Sequence, residues 1–194
     1  MAYRRRIWQN QWFGEDDCVE VIPYEIHPSL NYNKRLIKNA MAEIENYSRF
    51  EFVPNNYRGG CYLKITKDDG CWFEGSNECF PRISLGMGCK NFGTILHELM
   101  HAIGFEHEHR RPDRNRYLKI HWENIEPEEK PQFKKMQHDE YDWNDFRIDY
   151  DSIMMYDSYA FSKNDSITIE MRSGEEIGVN ERLSYADKEK LNLL

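Results

Sequence analysis

Apolar residues change their spacing along the chain, and the changes mark out its elements. In Val19-Glu20-Val21-Ile22-Pro23-Tyr24-Glu25-Ile26 they crowd into a short run rich in β-branched residues. This reads as a strand, and Pro23 marks it as an edge or bulged one. From about 33 to 47, Leu36, Ile37, Ala40, Met41 and Ile44 recur three or four positions apart, with Lys34, Lys38, Glu43 and Glu45 between them. That period is one face of an amphipathic helix. Residues 50–53 and 62–65 alternate as two short strands, separated by a turn region at Pro54 and Gly59-Gly60. A further strand is expected at 81–85, inside a glycine-rich stretch that carries three cysteines and otherwise reads as loops.

A second long helix follows, with Ile95, Leu96, Leu99, Met100 and Ile103 as its buried stripe and Gly104 where a helix would end in a left-handed residue. Beyond about Arg111 the periodicity fades into polar and aromatic residues. The chain returns to a helix after Ser184-Tyr185-Ala186-Asp187, which has capping-box spacing, with Leu191 and Leu194 as its anchoring face. The expectation is an α+β fold in one domain over 1–194, with an N-terminal lobe at about 1–107 and an irregular C-terminal lobe at about 108–194 that ends in a helix.

Composition narrows the function classes. With 194 residues, 40% of them hydrophobic, the chain can bury a substantial core. A net charge of −8 argues against a nucleic-acid partner, which needs a basic face to neutralise phosphates. No apolar run approaches the length that spans a bilayer, and the opening residues lack the apolar stretch of a signal peptide, so a soluble chain with no membrane partner is expected. Five cysteines (Cys18, Cys61, Cys71, Cys79 and Cys89) leave one without a partner inside the chain. Glycosylation sequons begin at Asn46 and Asn164.

The chemistry is concentrated in His97-Glu98-Leu99-Met100-His101. On a helix, positions i and i+4 stack one turn apart, so both imidazoles can reach one metal ion, with Glu98 beside it. A catalytic zinc site needs three protein ligands and one open position, and His107 supplies the third once Gly104 turns the chain back. The full string, His97-Glu98-x-x-His101-x-x-Gly104-x-x-His107, is the long zinc signature of metzincin peptidases. Further along, Ser152-Ile153-Met154-Met155-Tyr156 looks like the methionine turn of the same group. A structural zinc site is disfavoured, because such sites are closed by four ligands and commonly use thiolates.

The sequence from His97 through His107-Glu108-His109 to Arg111, Asp113 and Arg114 resembles the astacin family, and Glu108 directly after the third histidine sets astacins apart from other metzincins. Val21-Ile22-Pro23-Tyr24, Phe52-Val53-Pro54, Gly70-Cys71-Trp72, Gly88-Cys89 and Ala160-Phe161-Ser162 extend the likeness over nearly the whole chain. The resemblance implies a two-lobed metzincin catalytic domain, in which a mixed five-stranded sheet with two long helices precedes an irregular lobe. It implies one Zn²⁺ per chain held by His97, His101 and His107, with Tyr156 as a further ligand at rest that swings away to stabilise the reaction intermediate. Met154 would lie beneath the metal, and Glu98 would act as general acid/base. The implied activity is a secreted zinc endopeptidase that hydrolyses protein or peptide substrates as a monomer. An inhibitory propeptide in the precursor is implied, with the freed N-terminus buried near Glu108. By the same resemblance Cys71 pairs with Cys89. Cys18 and Cys61, at the starts of strands that would be parallel neighbours, are expected to pair as well, leaving Cys79 free.

Overall fold

Five strands line up in the order β2-β1-β3-β5-β4: β1 (Glu20–Ile26), β2 (Phe50–Pro54), β3 (Leu63–Thr66), β4 (Cys71–Glu74) and β5 (Arg82–Leu85). Every neighbouring pair is parallel except β4 with β5. This is a computed structural model that describes residues 19–56, 60–75, 78–138 and 143–194. β1 is an inner strand of this sheet, against the expectation from Pro23. Its ladder with β3 begins only at Tyr24, so at Pro23 the ladder runs on the β2 side alone, and a residue without an N–H is tolerated there.

The two long helices are α1 (Lys34–Glu45) and α2 (Phe92–Ala102). The α1 stripe, Ile37, Ala40, Met41 and Ile44, is buried, as are Ile22, Leu63, Ile65, Ile83 and Leu85 of the sheet. Each of these Ile, Leu and Met side chains contributes roughly 1.5–3 kcal/mol by leaving water, and the Ala40 methyl less. β4 had read as loop, because its four residues are flanked by glycines and show no alternation of burial. Its cross-strand contacts hold it instead: the Arg82 guanidinium lies 5.0 Å from the Trp72 ring and 2.6 Å from the Glu74 carboxylate.

Two disulfides reinforce this sheet. Cys71 is bonded to Cys89, with Cα atoms 5.6 Å apart. Cys61 is bonded to Cys79, not to Cys18, which corrects the expected pairing and leaves Cys79 no longer free. Register gives the reason. Lys64 pairs with Arg82 across β3 and β5, and three residues earlier on both strands the same register sets Cys61 opposite Cys79, at a Cα separation of 4.5 Å. The β1–β3 register, with Tyr24 opposite Leu63, would instead set Ile22 opposite Cys61. Cys18 itself lies outside the described residues.

The chain divides into two compact units, Met1–Phe105 with Asp187–Leu194, and Glu106–Ala186. The second contains an antiparallel pair, β6 (Leu118–Ile120) and β7 (Ile169–Met171), which showed no periodic signal because each strand is three residues long. Its core gathers Leu118, Ile125, Phe133, Met155, Ile169 and Ile177. The closing helix α3 (Tyr185–Asn192) buries Leu191, and its residues from Asp187 onward belong to the first unit, whereas the sequence reading had assigned them to the C-terminal lobe. Among the described residues, no helix is long and apolar enough to cross a membrane.

Candidate metal centre

Helix α2 is held at both ends. Asn91 caps its start, its side-chain oxygen accepting from the Thr94 N–H at 2.8 Å. At the other end Gly104 adopts φ +100°, a left-handed conformation natural to glycine. The Gly104 N–H donates to the His101 carbonyl and the Phe105 N–H to the Met100 carbonyl, both at 3.0 Å. This paired closure is a Schellman motif, and it ends the helix at Ala102, the residue after His101.

His97 and His101 stand on successive turns of α2, their rings edge-on with centroids 4.7 Å apart. His101 Nδ1 donates to the Phe105 carbonyl at 2.7 Å, so the segment released by Gly104 also orients the imidazole. His107 follows two residues later. The ligand atoms of His97, His101 and His107 all lie within 4.8 Å of one another, and all three side chains are half-buried. Three neutral nitrogen donors this close suit a borderline-soft dication that keeps an open coordination position.

Glu98 is 5% exposed, and its Oε2 has no hydrogen-bond partner among the described residues. Burial pushes its carboxyl up to about 8.

On the other side of His107, the Glu108 N–H donates to the Met154 carbonyl at 3.0 Å, tying the histidine segment to the methionine turn. That turn is built locally: the Met154 N–H donates to Ser152 Oγ and the Met155 N–H to the Ser152 carbonyl, both at 3.0 Å. Met154 and Met155 are buried. Tyr156 leaves the turn against the His107 ring, centroids 4.5 Å apart. Glu108 is itself buried, 3.7 Å from the equally buried Arg111 guanidinium. Arg111 also donates to the Trp143 and Phe146 carbonyls and to Asp113. The N-terminus expected near Glu108 lies outside the described residues.

The structure thus brings the three histidines together, sets Tyr156 against one of them, and links Glu108 to Met154. Sequence reasoning missed His109, which stacks on Tyr156, and the buried part played by Arg111. Both stand in the quoted string, but a side chain that acts by packing carries no spacing signature.

Comparison with known proteins adds an independent line. The profile of the Astacin peptidase family matches residues 8–194. The chain is 41% identical over 180 residues to zinc metalloproteinase nas-6 of Caenorhabditis elegans, covering 90% of this chain and 52% of that protein. It is 39% identical over 170 residues to astacin-like metalloprotease toxin 5 of Loxosceles gaucho, covering 84% of each. Among structures, the hatching enzyme zinc-protease HCE-1 of the medaka Oryzias latipes superposes with a TM-score of 0.85 at 30% identity, over 94% of this chain and 92% of that one. The chain spans well under two thirds of several relatives, for example 39% of nas-13 of Caenorhabditis elegans and 31% of blastula protease 10 of Paracentrotus lividus.

Proposed function

The chain belongs to the astacin family, and from that premise we propose that it is a secreted zinc endopeptidase that cuts protein or peptide substrates, with His97, His101 and His107 as metal ligands and Glu98 as general acid/base. The observation that carries the reading is the meeting of three imidazole donors within 4.8 Å on and just beyond the helix that buries Glu98.

When bound, a zinc ion supplies a Lewis acid, lowers the pKa of water toward neutrality, and by its charge draws the Glu98 carboxyl back to its ionised form. Glu98, in a site poor in hydrogen-bond donors, is a stronger base than an exposed carboxylate. It takes the proton of the attacking water and returns it to the leaving amine. The Tyr156 hydroxyl serves as donor to the oxyanion that develops on the scissile carbonyl. Its ring is backed by His107 and His109, which limits the positions the hydroxyl can take.

Secretion is supported by the two disulfides, which persist in oxidising compartments. The proposed form is a monomer released from a precursor by removal of an inhibitory propeptide. The test is digestion of a mixed peptide library with and without a zinc chelator, cut sites being read by mass spectrometry. Chelator-sensitive cleavage supports the proposal. A zinc-loaded, correctly processed chain that cuts nothing overturns it.

A further inference from the structure

Away from the histidines, the second unit holds a groove of ≈ 830 Å³ whose charged lining is Arg114, Lys119, Lys134, Lys135 and Arg172, with Trp122 beside them. No Asp or Glu lines it among the described residues, in a chain where acidic residues outnumber basic ones 34 to 26. One cation is neutralised: Lys119 reaches Glu170 at 2.8 Å. Lys135, Arg172 and Arg114 donate to neutral acceptors. Lys135 donates to the Pro112 carbonyl at 3.0 Å and Arg172 to the Asn115 carbonyl at 3.1 Å. Arg114, only 3% exposed, donates to the His109 carbonyl and to Asn115 Oδ1, and its guanidinium stands 5.9 Å from the Trp122 ring. A carbonyl satisfies an N–H but leaves the positive charge in place, so among the described residues these groups gather positive charge along a concave wall. Burial, with the neighbouring Arg110 as a lesser cause, pushes the Arg114 guanidinium down to about 10.

We propose that this groove binds a sulfated polysaccharide, its sulfates pairing with the exposed Lys134, Lys135 and Arg172 and one sugar ring lying on the exposed face of Trp122, while the buried Arg114 adds positive charge behind them. Guanidinium groups match a three-oxygen anion with parallel N–H donors, and lysines add point charges along the strand. The indole, 40% exposed, offers the C–H face of a sugar ring an apolar platform that a purely ionic polymer would not need. The choice of this polyanion rests on the extracellular location proposed above. The groove would then tether the peptidase to an anionic matrix without entering the chemistry at Glu98.

The test uses the whole zinc-loaded chain and a heparin octasaccharide of defined length as probe, titrated calorimetrically at physiological and raised salt. Binding is expected to weaken steeply with salt, and the combined variant K134E/K135E/R172E is expected to bind about tenfold or more weakly. W122A is expected to lose affinity for the octasaccharide but not for poly-glutamate. Thermal melting shows that the variants fold, and their cleavage of a short neutral peptide should match that of the parent. Absence of binding by the parent overturns the inference, as does equal binding by the charge-reversed variant. Equal competition by duplex DNA and poly-glutamate, with W122A indifferent, overturns the polysaccharide assignment. Because binding is read without turnover, a chain that binds heparin but cuts no peptide would sink the peptidase reading alone.

Discussion

The imidazole of His109 lies nearly flat on the phenol of Tyr156, centroids 4.1 Å apart and planes inclined by 27°. His109 is fully buried and is fixed by a 3.0 Å hydrogen bond between Nε2 and the Gln132 carbonyl, so it is a rigid backing for the side chain proposed to present its hydroxyl to the substrate. Replacing His109 with Ala should lower kcat roughly 10- to 100-fold with little change in KM, as expected for loss of orientation. His109→Phe, which retains a stacking ring, should recover part of it. In a Tyr156→Phe background the His109 substitution should have almost no further effect on kcat; additive losses would show that His109 acts elsewhere.

Glu98→Gln keeps the shape of the site but removes the proton carrier. Cleavage should fall by orders of magnitude while zinc content, measured by atomic absorption, stays at one per chain. A variant that keeps near-parental activity would remove Glu98 from the mechanism.

The same residue should govern how the metal-free protein responds to pH. Its carboxyl is raised from an ordinary 4.5 to about 8, so between those values the native state holds a proton that the unfolded chain releases. Stability therefore falls as pH rises through this window, by an amount on the order of several kcal/mol. In Glu98→Gln that loss should vanish, with the histidine contributions common to both proteins. Urea midpoints of the two metal-free proteins at about pH 5 and about pH 8 make the comparison. An identical pH slope in both would disprove it.

Metal removal should abolish cleavage reversibly and lower Tm, because a ligand that binds only the native state stabilises it in proportion to the logarithm of its concentration over Kd. His101→Ala should abolish the zinc-dependent rise in Tm. Retention of that rise would place the metal elsewhere.

The Cys61–Cys79 bond closes a separation of 18 residues, for which loop entropy gives about 3 kcal/mol of stabilisation. Replacing both cysteines with Ser should cost an amount of that order in chemical denaturation. Peptide mapping without reduction should recover 61 linked to 79 and 71 linked to 89; a peptide joining 18 to 61 would refute the observed pairing.

What could be read beforehand follows the length scale of each signal. The stripes of α1 and α2 span three turns, long enough for periodicity to reveal them. The closeness of His97 and His101 was legible because helical stacking converts sequence spacing into distance, and the role of Gly104 because a left-handed residue ends a helix. Strands β6 and β7, of three residues each, are too short to establish a period, and β4, of four, lacks the alternation that marks β3; they exist through their strand partners. The Cys61 partner was misread for a related reason. Both flanking strands of β3 run parallel to it, and only the register, a property of the assembled sheet, separates Cys79 from the rival. Arg111 could be quoted as part of a string, yet its role as a buried link between Glu108, Asp113 and the Trp143 and Phe146 carbonyls belongs to the folded chain alone. The basic groove left no trace, since Arg114, Lys135 and Arg172 come together only in three dimensions.

Asp187–Leu194 return to the unit begun by the first 105 residues, so the second unit is spliced into the first as a closed excursion. A chain made from its N-terminus has the sheet, both long helices and two of the three histidines outside the ribosome well before that unit receives its closing segment. At typical elongation speeds the intervening stretch takes on the order of several seconds to synthesise. Throughout that interval the helix bearing Glu98 belongs to a unit that still lacks its closing segment, although His107 and Tyr156 are made before that segment.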